Sequence, residues 1–312
     1  MVWSGFILAK YIIKRIGISV LTIWIVSTLT FFLMYMVPGG PFMSEKTPSA
    51  ATLEALNEKY GLDQPKLTQY KNYVEKYLHG DMGPSMKQRG RDVKDIISTG
   101  FKVSARVGGM SIFVAVMLGI PLGSIAALNR GKWIDSIIML ISTTGIAVPS
   151  FVVCTVLMLI FSVKLDLLPT YGLTSWKHYV MPVMALSFYP TAYISRLMRA
   201  GMLEVLGQDY IRTAKSKGLA MNRVLFKHAL RNAVLPVVTY LGPLLAYTLT
   251  GSFVVEKIFT VPGLGNEFIS SIINRDYTMI MGTTIFLAIL IVTMNFLVDI
   301  IYKIVDPRIT LK

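Results

Sequence analysis

Few side chains in this sequence could do chemistry, and they stand far apart. The histidines are His79, His178 and His228, and the one cysteine is Cys154. Protein metal sites are usually built on close spacings such as HExxH or CxxC, and neither occurs here. A single cysteine allows no intrachain disulfide and no cysteine cluster. The GxxxxGK[ST] phosphate loop and the GxSxG nucleophile elbow are also missing. One carboxylate remains: Asp299, at the end of an apolar run, where an ionisable group could serve an ion pathway. A more ordinary role for it is an interfacial carboxylate that caps its helix or pairs near Lys303. The expectation is no catalytic residue, no metal site and no cofactor bound by this chain.

The elements that would hold any site are apolar. Of 312 residues, 54% are hydrophobic and 15% charged, with a mean hydropathy of +0.58. Soluble domains carry about 25% charged residues. Uncharged runs of about 18 or more residues read as membrane-spanning helices. Six are expected, over residues 16–37, 107–128, 136–163, 178–195, 232–255 and 277–298. The fourth is the shortest and holds Pro182 and Pro190. The first is too long for a signal peptide and lacks a small-residue cleavage site, so it is expected to be retained.

Lys and Arg in short flanking segments set orientation. Lys10, Lys14 and Arg15 precede the first span, which places residues 1–15 in the cytoplasm. Residues 129–135, 196–231 and 299–312 follow on the same side, and 38–106 and 256–276 lie outside. Most of the net charge of +14 then falls on inside segments. Topology accounts for it, and no nucleic-acid partner is expected.

Two polar segments are longer than topology requires. In the outer one, Pro65 suits a first helical turn, Leu67, Tyr70, Val74, Tyr77 and Leu78 recur at helical spacing, and Gly80 can end the helix. A compact helical cap with an apolar stripe is expected. In the inner one, Asp209 suits an N-cap, and 210–216 would form a short helix ended by Gly218. Asn222 could cap a second helix on which Arg223, Lys227 and Arg231 form one stripe. Such a stripe can snorkel to lipid headgroups. Equally, a short helix between two spans, lying along the membrane, can act as a lever for a soluble partner.

Pro121, Pro149, Pro182, Pro190, Pro236 and Pro243 interrupt span regions or their ends. Each removes a backbone donor and permits a kink. Broken helices are tolerated against protein or a water-filled cavity, which suits a moving pathway. Thr143, Thr144 and Ser150, beside Pro149, could line it, or could hydrogen-bond back to their own helix.

The inner segment also carries a resemblance. QDYIRTAKSKGL (208–219) followed by LFKHALRNAVLPVVT (225–239) resembles the cytoplasmic signature of permease subunits of ABC importers, dipeptide/oligopeptide/nickel class, B type. VPGGPF (37–42), YGLDQP (60–65), GDMGPS (80–85), GIPLGSIAAL (119–128), VPSF (148–151), VVEKIFTVPGLG (254–265), RDYTMI (275–280) and NFLVDIIYKIVDPRI (295–309) are similar to that class in the same order. Arg212-Thr213-Ala214 stands where the general pattern has E-A-A, three residues before Gly218. The spacing from Gly218 to Leu235-Pro236 is longer than the general pattern, and Gly40 replaces the acid of the PGDP-like motif.

The resemblance implies an all-α, polytopic fold with six transmembrane helices, type I importer-like, with a permease core over 96–303 and a small helical extracytoplasmic insertion. It implies a multi-pass permease of the cell membrane that hydrolyses nothing itself. Its partners would be a homologous second permease, two cytoplasmic ATPases holding ATP and Mg, and an extracytoplasmic substrate-binding protein. Di- or oligopeptides would be the substrate, with nickel the alternative within the class. A non-transporting membrane scaffold or receptor is the alternative outside it. Asp209, Tyr210, Ile211, Arg212, Thr213, Ala214, Lys217, Gly218 and Leu219 would form the contact with an ATPase.

Overall fold

The computed structural model of the protein describes residues 2–43 and 49–305. Asp306, Arg308 and Lys312, the 306–309 end of the last motif, and the side chains of Lys10 and Lys303 lie outside the described residues. Every regular element among the described residues is a helix, apart from an isolated bridge between Pro84 and Asp92.

The chain opens with α1 (Val2–Met36), then the cap helices α2 (Ala50–Tyr60) and α3 (Lys66–Leu78). The helix α4 (Val93–Leu128) starts well before the expected 107. Its first turns bury Val93, Ile96 and Ile97 against Leu264 and Met279, so packing prolongs the helix beyond its apolar run. The expected span 136–163 is not one helix. It divides into α5 (Trp133–Ala147) and α6 (Ser150–Leu157), which continues as π-helical turns over Met158–Lys164. The two halves meet at 108°. Pro149 holds Val148 in an extended conformation (φ −78°, ψ 124°), which α-helix cannot accept.

Next, α7 (Lys177–Leu206) keeps Pro182 and Pro190 inside one continuous helix and runs past the expected end at 195. A short α8 (Asp209–Ser216) follows, then α9 (Met221–Arg223), π-helical turns Val224–Ala229 and α10 (Leu230–Ala233). The chain closes with α11 (Leu235–Leu249), α12 (Phe253–Ile258), α13 (Leu264–Asn274) and α14 (Tyr277–Val305). Among the described residues, four stretches are long and apolar enough to cross a bilayer: Ile12–Met36, Val93–Leu128, Leu235–Ile258 and Tyr277–Asp299. The bent pair would make a fifth. The expected fourth span, in α7, is long enough at 30 residues but less apolar. It packs against α4, α5, α6 and α11, so much of its surface meets protein rather than lipid.

The α4–α7 contact is the most extensive in the fold. It is close because Gly119 and Gly123 of GIPLG leave no side chain between the helices. A Cβ on Gly119 would lie 2.7 Å from Ile194, and one on Gly123 would collide with the Ser195 carbonyl oxygen. Apolar helices gain little from the hydrophobic effect inside lipid, so small residues that let backbones approach carry the association. Asp135 at the start of α5 adds a paired charge: Arg199 on α7 donates to it at 2.6 and 2.7 Å, and the Gly131 N–H at 3.0 Å.

Segments 129–135 and 196–231 share one end of the bundle, here the α8 end. The opposite end, the cap end, carries α2, α3, α12 and α13. Between them α1 and α14 run antiparallel. Phe31 and Met34 pack with Tyr277 and Met281 at the cap end, and Arg15 pairs with Asp299 at 2.6 Å toward the other. Asp299 therefore has a partner on a helix distant in sequence.

The cap also differs from its sequence pattern. Leu67 and Leu78 are exposed. The inner face of α3 is instead Gln69, Tyr70, Tyr73 and Tyr77, seated on Phe31, Tyr35 and Tyr277. Burial, then the Asp81 and Asp276 carboxylates, raises the Tyr77 phenol above its ordinary value, so it stays a donor.

A leucine at Gly123 should force α4 from α7 and cost about 1–3 kcal/mol or more, the range for overpacking. Thermal unfolding of purified Gly123→Leu checks it, with Gly109→Ala as control, since a Cβ on Gly109 meets no atom within 4 Å.

Candidate functional site

The residues singled out in the inner segment sit at the tip of a helical hairpin. One arm is the end of α7. The other is 221–233, drawn in until Ala233 lies against Gly201. Across the tip, α8 is fixed by Ile211 (0% exposed) and Ala214, which join Met202, Val205, Val224 and Ala229 in one apolar cluster. Leu219 is partly buried on the same cluster.

Asp209 is the first residue of α8 rather than its cap; Gln208 holds the cap position. A carboxylate in the first turn still favours the helix through its dipole. Asp209, Arg212, Thr213, Lys217 and Gly218 are exposed. So is Tyr210, whose hydroxyl accepts from Asn232 Nδ2 at 2.9 Å. The nine residues therefore divide: Ile211, Ala214 and Leu219 hold the helix down, and the other six are open to a partner. Lys215 and Ser216 are exposed beside them and were not singled out. Lys215 lies three positions from Arg212, a helical spacing that could have found it.

Gly218 ends the element with φ +75°, and its N–H donates to the Lys215 carbonyl at 3.0 Å. The space around it is open, so its requirement is the backbone conformation alone. Asn222 caps nothing; it lies inside α9, whose cap position is Ala220. Arg223, Lys227 and Arg231 are exposed, but the π-helical turns between them change the period. The buried residues of this arm are Val224, Ala229 and Ala233, with a first step of five. A regular α-helical stripe is therefore broken.

The second feature is a cleft of about 550 Å³ at the bend between α5 and α6. Pro149, Ser150, Tyr189, Pro190, Tyr240 and Pro243 line it, from three different span regions. None of its lining residues is Asp, Glu, Lys or Arg. Tyr193 lies between the two phenols, stacked on Tyr189 at 6.0 Å and tilted against Tyr240 at 4.4 Å between ring centroids. Pro190 removes the helical partner of the Leu186 carbonyl, and Leu186 lines the cleft. The cleft thus offers phenol hydroxyls and backbone carbonyls without fixed charge.

Of the four expected pathway residues, Pro149 and Ser150 are in this cleft. Thr143 and Thr144 are not: Ser142 and Gly145 turn toward α7, which leaves both threonines exposed. Neither threonine side chain bonds back to its own helix among the described residues.

At the cap end, two buried carboxylates that sequence reasoning passed over explain several motifs. Glu256 accepts from Ser104 Oγ at 2.6 Å and from the Asn266 N–H at 3.1 Å, and Ser104 Oγ accepts from the Leu264 N–H at 2.8 Å. A Cβ on Gly251 or Gly265 would fall within 3 Å of this carboxylate, and one on Gly263 would overlap it. The glycines of VPGLG are the walls of its cradle. Asp276 accepts from Ser85 Oγ, from the Met86 N–H at 3.2 Å and from the Met279 N–H at 3.1 Å. It joins GDMGPS to RDYTMI.

Residues 119–311 match the family described as "Binding-protein-dependent transport system inner membrane component", and residues 8–96 match its N-terminal companion, "Binding-prot-dependent transport system membrane comp, N-term". The dipeptide transport system permease protein DppB of Bacillus subtilis (strain 168) is 46% identical over 304 residues, covering 97% of this chain and 99% of its own. The oligopeptide transport system permease protein OppB is 42% identical in Haemophilus influenzae and 40% in Escherichia coli K12, each over 96% of this chain and 99% of its own. Among solved structures, an inward-facing MetNI methionine ABC transporter aligns with TM-score 0.55 at 17% identity, over 68% of this chain and 96% of that one. An amino acid ABC transporter crystallised with histidines gives 0.52 at 16%, over 69% and 95%. These two likenesses concern the fold.

If α8 is held by Ile211, Ile211→Asn should expose 207–220 to limited proteolysis at least about tenfold faster, since burying an unpaired amide costs about 1–3 kcal/mol or more. Arg212→Ala, on the exposed face, should leave the cleavage rate unchanged.

Proposed function

As a member of the family of binding-protein-dependent transport system inner membrane components, this chain is a multi-pass membrane permease, and we propose that it forms half of the pathway of an ATP-driven importer of di- or oligopeptides. The observation that carries the substrate is near-full-length likeness to permeases named for dipeptides and oligopeptides in three organisms. Those names favour peptides over nickel, and membership of a transport family disfavours a scaffold. The cleft supports the same reading. Peptides share a backbone of amide donors and acceptors, and uncharged phenols and carbonyls can meet them without selecting a side chain.

The partners are a homologous second permease, two cytoplasmic ATPases that bind ATP and Mg, and an extracytoplasmic binding protein. Residues 1–15, the α8 end and the C-terminus face the cytoplasm, in line with their Lys and Arg. ATPase closure pushes the exposed face of α8, through Arg212, Thr213, Lys215 and Lys217. The push passes through Ile211 and Ala214 to the α7 hairpin. Tyr189, Pro190 and Tyr193 lie on that same helix beside the cleft. Moving α7 against the bent α5–α6 pair then opens the pathway alternately to either side. The binding protein meets the cap and the loop before α14.

Gly218→Val tests the coupling. A β-branched residue at φ +75° strains the turn by about 1–2 kcal/mol, while the open space around it spares the packing. Membrane insertion should be normal, and peptide uptake and peptide-stimulated ATPase activity should both fall. Wild-type uptake by that variant would contradict the assignment.

A further inference from the structure

A groove at the cap end has no part in the transport reading. It opens where α4 and the start of α7 diverge and has a volume of about 900 Å³. Arg106, Met110 and Phe113 recur on its α4 wall at helical spacing, with Gly109 between them. Tyr179 and the segment Thr174, Ser175 and Trp176 form the other side of its mouth.

The polar groups gather at one end. Arg106 is exposed, and its Nη1 donates to the Tyr179 hydroxyl at 3.3 Å. No carboxylate lines the groove, and among the described residues Arg106 forms no ion pair. Ser175 is also in the lining, and its Oγ lies 2.9 Å from His178 Nδ1. Below this mouth the groove is apolar. Phe113 is 66% exposed, and a Cβ on Gly109 would meet nothing within 4 Å. The cationic mouth sits where the uncharged run of α4 begins, at residue 107. Tyr and Trp beside it are the residues that gather at a membrane–water boundary.

We propose that this groove is a phospholipid site. The headgroup phosphate accepts from Arg106, and one acyl chain runs over Gly109, Met110 and Phe113. A guanidinium without a carboxylate partner complements a phosphate, and the apolar floor runs from it into the span, as a lipid's chains do. A free anion would use the mouth and leave the floor empty. The competing occupant is another polypeptide packed on the same face.

The test uses the full-length protein with the subunits that accompany it, reconstituted in nanodiscs of phosphatidylglycerol and phosphatidylethanolamine. After transfer to detergent, retained phospholipid is counted by native mass spectrometry. Arg106→Gln should lower retention about fivefold, the weight of one Lys or Arg at a membrane surface. Gly109→Leu should lower it as well, because its side chain fills the floor without displacing protein. Lys102→Gln, on the same helix but outside the groove, should retain lipid as the wild type does. A photocrosslinking amino acid at Met110 should capture phospholipid. Wild-type retention in either Arg106→Gln or Gly109→Leu, or capture of a polypeptide at position 110, overturns the proposal.

Discussion

The close approach of α4 and α7 is the constraint on which the rest of the structure depends. Two apolar helices in a bilayer gain little by leaving lipid for one another. What holds these two is backbone contact, made possible by Gly119 and Gly123 facing Ile194 and Ser195. Each helix then reaches past the membrane in its own direction. The first turns of α4 pack on Leu264 and Met279 at the cap end, and α7 continues to Leu206, where α8 begins. The pair therefore links both ends, with the cleft beside it. On the proposed reading, a push at α8 reaches Tyr189 and Tyr193 through one rigid helix.

Three buried carboxylates fix the loops around this pair. Asp135 ties α5 to α7 through Arg199, Glu256 ties α12 to α4 through Ser104, and Asp276 ties the segment before α4 to the start of α14. Each accepts hydrogen bonds from several donors, which is what makes a buried carboxylate tolerable. Two of them fall in motifs whose glycines and serines would otherwise look like generic turns. These are fixed points, and the bend at Val148-Pro149 is the place between them where the chain departs from straight spans.

The sequence made the helical, membrane-spanning class plain, because uncharged runs and charged flanks are set by the bilayer itself. It also located α8 and its terminating Gly218, since capping is local. Long-range features escaped it. Each proline permits a kink, and the sequence does not say which one bends: Pro182 and Pro190 stay within α7, while Pro149 bends its span by 108°. Thr143 and Thr144 are near Ser150 in sequence, and the bend separates them from it. The stripe Arg223, Lys227 and Arg231 assumed a period that π-helical turns alter. Ile211 and Ala214 look like partner contacts in the motif, but the fold turns them inward. Lone Asp and Glu residues at or beside helix starts carry no signal of the distant donors that the fold brings to them.

The central claim is that the exposed face of α8 engages the ATPases. The most direct measurement is purification of this chain from its native membrane in mild detergent, with mass spectrometry of the accompanying proteins. Wild type is compared with a variant in which Arg212, Lys215 and Lys217 are replaced by Glu. The account predicts a second permease and two phosphate-loop ATPases with the wild type, and a variant that keeps the second permease but loses the ATPases. ATPases retained at wild-type level by the variant, or a wild-type chain that comes down alone, would contradict it.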